Sequence, residues 1–197
     1  MVAQPVPLTS VMDYLAFERN RPERHEFFDG QIVLQAGASI NHNILTANTI
    51  GSLYQQLRGK PCVVLPSDMR IRTPQRRQYM YPDVTVMCGS PTFDDEHQDT
   101  ITNPTVIFEV LSPSSENYDR GRKFQAYRSI PSLQEYVLIS QTVFRVEHFT
   151  RQNDMIWLMT EYLHPDQVIE LSSIVCSLSL ATLYEKVDLS GDDTEDF

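Results

Sequence analysis

The chain has 197 residues, of which 41% are hydrophobic and 21% charged; these values lie close to the globular average and exclude wholesale disorder. Its apolar runs are too short to cross a bilayer, and its N-terminus lacks a basic, apolar leader, so we expect no membrane association, no secretory signal and a cytoplasmic location. The net charge of −10 argues at first against a nucleic-acid binder, but residues 188–197 hold five acids and no base. We therefore predict one domain over residues 1–187 and an acidic, disordered tail over 188–197.

At the N-terminal end, Thr9 or Ser10 can cap a helix that runs to about Asn20. An Asp29-Gly30 turn predicts a hairpin over residues 25–34, and an apolar stripe predicts a second helix over 39–57. Further strands are predicted over residues 62–65, 69–72, 81–87, 105–111, 135–139, 143–149 and 156–162, with helices over 118–129 and 178–187. Helices interspersed with strands around one sheet predict the α/β (α+β) class.

The charges along the remaining chain are distributed unevenly. Residues 58–77 hold six basic residues against one acid, whereas residues 78–119 hold eight acids and neither Lys nor Arg. This pattern could place a phosphate-attracting surface beside a cation site, with ordinary solvated loops as the alternative.

The three cysteines are odd in number and widely spaced, and neither a C-x-x-C nor an H-E-x-x-H motif occurs. This spacing argues against a disulfide framework and against a thiolate zinc site. Cys62 and Cys88 lie in apolar strand-like segments, so we expect buried thiols in a reducing compartment.

Two acids occupy unusual positions in predicted strands. Asp83 follows Pro82 at the beginning of one strand, and Glu109 interrupts a strand that otherwise reads as buried on both faces. An ionised carboxylate there is costly unless it is compensated, so Glu109 either pairs with an arginine or holds a metal. Two carboxylates on adjacent strands can converge on a hard cation such as Mg²⁺.

Lys123 is the third candidate, because it is one of only three lysines and follows the Glu109 strand on the next predicted helix. The alternative is an Asp119–Lys123 pair on a solvated helix face, worth about 0.2–0.5 kcal/mol.

In this order the motifs resemble the Uma-type restriction-endonuclease family, within the PD-(D/E)xK nuclease-like superfamily, from about residue 12 to 183. The residues that carry the resemblance are Arg24-His25-Glu26-Phe27-Phe28-Asp29-Gly30, His42, Tyr81-Pro82-Asp83-Val84, Glu109-Val110-Leu111-Ser112-Pro113-Ser114, Asp119-Arg120, Lys123, Tyr127 and Glu135-Tyr136.

The resemblance implies a restriction-endonuclease-like core, a mixed β-sheet flanked by helices, and a Mg²⁺-dependent (or Mn²⁺-dependent) endonuclease that hydrolyses DNA. Asp83 and Glu109 match the two acids that hold the metal. The usual lysine position holds Leu111 instead, and Lys123 matches a lysine supplied by the next helix.

Further residues are assigned with alternatives. Glu26 matches an early acid that could complete the catalytic metal site, or it pairs with Arg24. The Val110 carbonyl is an expected extra metal ligand. We interpret His42 as an exposed or capping residue outside the site, and Tyr127 as a core residue.

DNA contact is expected from arginines that precede the Asp83 strand: Arg70, Arg72, Arg76 and Arg77. The resemblance also implies a homodimer, and we expect no organic cofactor. Two other functions stay open: a catalytically inactive nuclease fold that binds nucleic acid or a protein partner, and an acidic partner protein.

Overall fold

The computed structural model describes residues 10–35, 37–74 and 78–190, which form helices around two β-sheets and a hairpin. The helices are α1 (Val11–Glu18), α2 (Ile40–Leu57), α3 (Glu116–Tyr118), α4 (Phe124–Tyr127) and α5 (Leu180–Leu183), with a π-helical turn (Asp119–Lys123) that joins α3 to α4. The strands are β1 (His25–Phe28), β2 (Gln31–Leu34), β3 (Cys62–Pro66), β4 (Arg70–Arg72), β5 (Tyr79–Met80), β6 (Val84–Cys88), β7 (Thr100–Ile101), β8 (Val106–Leu111), β9 (Glu135–Ser140), β10 (Val146–Arg151), β11 (Trp157–Tyr162), β12 (Val168–Leu171) and β13 (Cys176–Ser179).

The larger sheet has six strands in the order β11-β10-β9-β8-β6-β3. β8 is parallel to β9 and antiparallel to β6, and all six of its residues are buried. The connection from β8 to β9 passes through the α3–α4 helical segment, because parallel neighbours need a crossover of this kind. Glu109 therefore lies in the most enclosed strand of the sheet.

Apolar residues cover both faces of this sheet. On one face, α2 and α5 pack on alternate residues of β8 such as Phe108 and Val110. On the other face, Ile107 and Leu111 pack with Tyr127 of α4 and Ile71 of the second sheet. Glu109 points to this second face, because strand side chains alternate.

The second sheet has the order β2-β1-β5-β4-β7, and α1 packs on it through Tyr14, whose ring stacks on Phe27 at 4.9 Å. Its strand β1 carries Glu26. This sheet therefore delivers an acid to the side of β8 on which Glu109 lies.

Local signals at the beginning of the chain are confirmed. The Ser10 and Ser39 side chains cap α1 and α2 by accepting the N–H groups of Asp13 and His42. Asp29 and Gly30 have φ of 48° and 82°, as a two-residue hairpin turn requires.

Other elements differ from the predictions. The predicted strand over 81–87 begins three residues later, as β6, because residues 81–83 make no strand pairing and Asp83 lies in a bend. The predicted closing helix over 178–187 shrinks to α5, because residues 176–179 pair instead with β12 as a hairpin. Here tertiary pairing overrides local helical propensity.

The expectation of buried free thiols at Cys62 and Cys88 is wrong, because these residues form a disulfide. The antiparallel register of β3 and β6 sets the two cysteines directly opposite each other, although 26 residues separate them in the chain. Cys176 is free and buried.

The predicted tail begins inside the described part of the chain. Asp188 exchanges backbone hydrogen bonds with the side chain of Asn41, at 2.7 and 3.2 Å. Residues 191–197 lie outside the described residues. Within the described ranges, no helix has the length and apolar character needed to span a membrane.

The disulfide gives a first prediction, on stability. Cys88→Ser should lower the free energy of unfolding under oxidising conditions by about 2–4 kcal/mol, because the cross-link restricts the unfolded chain. Urea unfolding with and without a reductant measures the effect, and reduction should bring the wild type close to the variant. An equal response of both proteins to the reductant would contradict it.

Candidate active site

Asp83 and Glu109 lie opposite each other across β6 and β8. Val84 pairs with Phe108, and continuing this antiparallel register by one residue brings Asp83 beside Glu109 on the same face. Asp83 Oδ2 accepts the N–H of Val110 at 2.7 Å, so the carboxylate continues the hydrogen-bond ladder between β6 and β8 one residue before β6 begins. The two acids are only 7% and 3% exposed.

Lys123 lies among carboxylates rather than on a solvated helix face. Its Nζ is 3.1 Å from Glu109 Oε1, 3.1 Å from Glu26 Oε1 and 3.3 Å from Asp119 Oδ1. The residue is 6% exposed. Asp119 and Lys123 stand at the two ends of the π-helical turn and both are buried, so this turn presents the ammonium to β8.

Glu26 is joined to Lys123, not to Arg24, whose guanidinium pairs with Asp68. Its Oε1 also accepts the N–H of Tyr81 at 3.2 Å, and its Oε2 accepts the hydroxyl of Tyr118 at 3.2 Å. Since both oxygens are already engaged, Glu26 is better suited to holding Lys123 than to binding a metal.

His42 reaches the site from the first turn of α2. Its Nε2 lies 3.1 Å from Asp83 Oδ2, so this nitrogen carries the donated proton. Its Nδ1 is buried and makes no hydrogen bond with the described residues. The interpretation of His42 as a residue outside the site is therefore wrong.

Tyr127 combines a core position with a contact in the site. It is fully buried, and its hydroxyl donates to Glu109 Oε1 at 3.0 Å. Glu109 thus receives two hydrogen bonds on one oxygen, from Tyr127 and from Lys123.

The cluster holds more acids than lysines: Glu26, Glu109 and Asp119 contact the ammonium of Lys123, and Asp83 lies beside Glu109 without contacting it. Burial raises the pKa of Glu109 well above its usual range, and the Lys123 charge offsets only part of that effect. Burial alone would lower the pKa of Lys123, but Glu109 and Glu26 hold that pKa well above its usual range. Lys123 is therefore a permanent cation, and Glu109 is the acid that most readily takes a proton.

Asp83 and Glu109 suit a metal ion that takes only two carboxylate ligands from the protein. Within the described ranges, no group of three or more His, Cys, Asp or Glu has the arrangement of a complete metal site. Asp83 Oδ1 and Glu109 Oε2, however, accept no hydrogen bond from the described residues, and neither oxygen is fully buried. Two carboxylates suit Mg²⁺, which keeps several waters and binds substrate phosphates.

Of the four predicted DNA-contacting arginines, the two that the structure describes are paired with carboxylates outside this site. Arg70 is 2% exposed and pairs with Asp99, so its charge is not available to a phosphate. Arg72 is partly buried, 3.2 Å from Asp94. Arg76 and Arg77 lie outside the described residues.

The contribution of Lys123 to stability is directly testable. Lys123→Met removes the cation and leaves the buried carboxylates uncompensated, which should lower the free energy of unfolding by about 3–5 kcal/mol near neutral pH. Urea unfolding would measure this loss, with the exposed Lys186→Met as the control. The loss should shrink as the pH falls and the carboxylates take up protons; a loss independent of pH would contradict the charge argument.

Glu109→Gln should have the opposite effect on stability. Because the folded-state pKa of Glu109 is raised, its ionised form opposes folding once the pH exceeds the unfolded value of about 4.3. Gln imitates the protonated form, so the variant should melt a few degrees above the wild type at pH 8 and show no advantage below pH ~4. The exposed Glu170→Gln is the matched control, and a variant less stable at pH 8 would contradict the assignment.

Comparisons with known proteins agree with this architecture. A family model, Uma2, described as "Putative restriction endonuclease", matches residues 11–183. Two uncharacterized proteins of Synechocystis are 41% identical over 172 residues and 37% identical over 180 residues; the alignments cover 87% and 91% of this chain and 97% and 93% of those proteins. A crystal structure from Anabaena variabilis, described as a "putative nuclease belonging to DUF820", has a TM-score of 0.74 at 15% identity, over 92% of this chain and 98% of that one. This last likeness shows the fold, and the family match confirms the resemblance seen in the sequence: the chain belongs to the Uma2 family.

Proposed function

We propose that this protein is a metal-dependent endonuclease that hydrolyses DNA phosphodiester bonds. The observation that carries the proposal is the pairing of Asp83 with Glu109, each with one unpartnered oxygen, beside a buried, charged lysine. Membership of the Uma2 family supports the same reaction class. The excess of carboxylates over ammonium groups supports a divalent cation, which would offset it.

Asp83 and Glu109 would hold Mg²⁺ or Mn²⁺, with the Val110 carbonyl as a third donor. The N–H of Val110 points to Asp83, and the carbonyl of a strand residue lies on the same side as its N–H. When bound, such an ion polarises the phosphate and lowers the pKa of a bound water.

Lys123 would act as a hydrogen-bond donor and a positive charge, not as a general base, because its pKa is raised. Its ammonium would orient the attacking water and stabilise negative charge that develops on the phosphoryl oxygens. Glu26, Asp119 and Tyr127 would fix its position and that of Glu109. His42 would hold Asp83 through Oδ2 and leave Oδ1 for the metal.

A catalytically inactive domain that binds nucleic acid or a protein partner is the second candidate. One observation favours it: Lys123 is engaged by three carboxylates, which satisfy its ammonium without a substrate. A homodimer, in which two sites cut the two strands, remains a proposal.

Cleavage of supercoiled plasmid tests the first candidate against the second. With Mg²⁺ or Mn²⁺ the wild type should nick the plasmid, and EDTA should abolish the activity. Asp83→Asn and Glu109→Gln should each lower the rate at least about a hundredfold, because the acids act as a unit. Glu170→Gln should cleave like the wild type.

Glu109→Gln is the most informative variant, because we expect it to fold at least as stably as the wild type. Its loss of cleavage then cannot be ascribed to unfolding. Wild-type activity in Asp83→Asn would refute the proposed site. A folded wild type that binds DNA without metal and never cleaves it would support the binding domain.

A further inference from the structure

A polar cleft lies beside the candidate active site, on the outer side of the α4 helix. It has a volume of about 190 Å³ and is lined by the β1–β2 turn, by Thr73 and Gln78, and by exposed residues of the helical segment. Its lining includes Phe28, Asp29, Gln125, Arg122, Arg128 and Ser129.

Two exposed arginines give this cleft its charge. The guanidinium of Arg122 lies over the ring of Phe28 at 4.9 Å, and the nearest carboxylate, Asp29, is 3.5 Å away. Arg128 forms no ion pair with any carboxylate of the described residues. By contrast, Arg19 and Arg120 hold carboxylates at 2.6–2.8 Å. The two arginines of the cleft are therefore less neutralised by carboxylates than Arg19 and Arg120 are.

One neutral lining residue adds a hydrogen-bond donor. Gln125 lies three residues from both Arg122 and Arg128 on the same helical segment, so the three side chains share one face. The Ser129 hydroxyl is already used, because it donates to the Ala126 carbonyl at 2.6 Å. The described lining residues include two guanidinium groups and one carboxylate, Asp29, which gives them a net positive charge. A guanidinium beside a neutral donor matches a phosphate oxygen pair, which accepts but does not donate.

Arg151 extends the positive surface past the end of α4. Its guanidinium donates to the backbone oxygens of Arg128 and Ile130, each at 2.8 Å. A third positive charge thus lies next to the backbone of Arg128.

The cleft is connected to the site through two aromatic rings. Phe28 contacts Tyr118, with ring centres 5.6 Å apart, and the Tyr118 hydroxyl donates to Glu26. Arg122 also directly precedes Lys123 in the chain. The cleft and the candidate active site are therefore neighbours along the same helical segment.

We propose that this cleft binds the phosphodiester backbone of nucleic acid next to the phosphate that is cleaved, with Arg122 and Arg128 as the contacting residues. This inference rests on the proposed function, and it assigns the contact to arginines that the sequence did not indicate. Arg70, which the sequence did indicate, is buried in an ion pair.

The test is fluorescence anisotropy of a labelled 20-bp DNA duplex in EDTA, so that cleavage cannot occur. Arg122→Gln and Arg128→Gln should each weaken binding roughly tenfold near 0.1 M salt, for two duplexes of unrelated sequence alike. Each should also lower the slope of log K against log salt by about one, because one phosphate contact is lost. Arg58→Gln, at the exposed C-terminal end of α2, makes the same charge change and should alter neither value.

Binding and cleavage separate this inference from the proposed function. Loss of affinity in both variants, with unchanged melting temperatures, supports the cleft whether or not the wild type cleaves plasmid. If both variants bind like Arg58→Gln, or if the wild type binds neither duplex at low salt, the cleft assignment is wrong. Plasmid cleavage that persists in that case would leave the nuclease proposal standing.

Discussion

One buried ammonium, that of Lys123, is held by three carboxylates, and this contact links the two sheets. Lys123 joins Glu26 of the smaller sheet to Glu109 of the larger sheet, and Asp119 holds it from the same helical segment. A buried charge is tolerated only where partners surround it, so these elements must meet at one point. The candidate site is thus also the joint between the two sheets, and the residues that would carry the chemistry help to fix the fold.

The backbone determines where the two principal acids lie. β6 begins at Val84. One residue earlier, the Asp83 carboxylate accepts the N–H of Val110, in place of the backbone carbonyl that a longer strand would have supplied. The antiparallel register then places Glu109 opposite Asp83. Because a change of register by one residue would turn Glu109 to the opposite face, apolar packing of Phe108 and Val110 against α2 secures the position of the acid.

The sequence predicted those features that local signals determine. The serine caps, the Asp29-Gly30 turn and the interruption of a buried strand by Glu109 can each be read within a few residues. The contact of His42 with Asp83 depends on where the beginning of α2 meets the sheet, which no local pattern specifies. The Cys62–Cys88 disulfide and the burial of Arg70 depend likewise on partners 26 and 29 residues away in the chain.

The distribution of charge implies an order of binding in the proposed reaction. In the proposed reaction the acidic cluster would repel a phosphodiester for as long as its carboxylates exceed its cations, while the arginine-lined cleft beside it would attract one. Nucleic acid would then bind in the cleft without metal, and a phosphate would approach Asp83 and Glu109 only after a cation had offset their charge. Burial, and after it the neighbouring carboxylates, raise the pKa of Glu109, so a proton on Glu109 relieves both effects in the absence of metal. Protonation and metal binding should accordingly compete for this one carboxylate, and acid conditions should weaken the metal site before they affect the cleft.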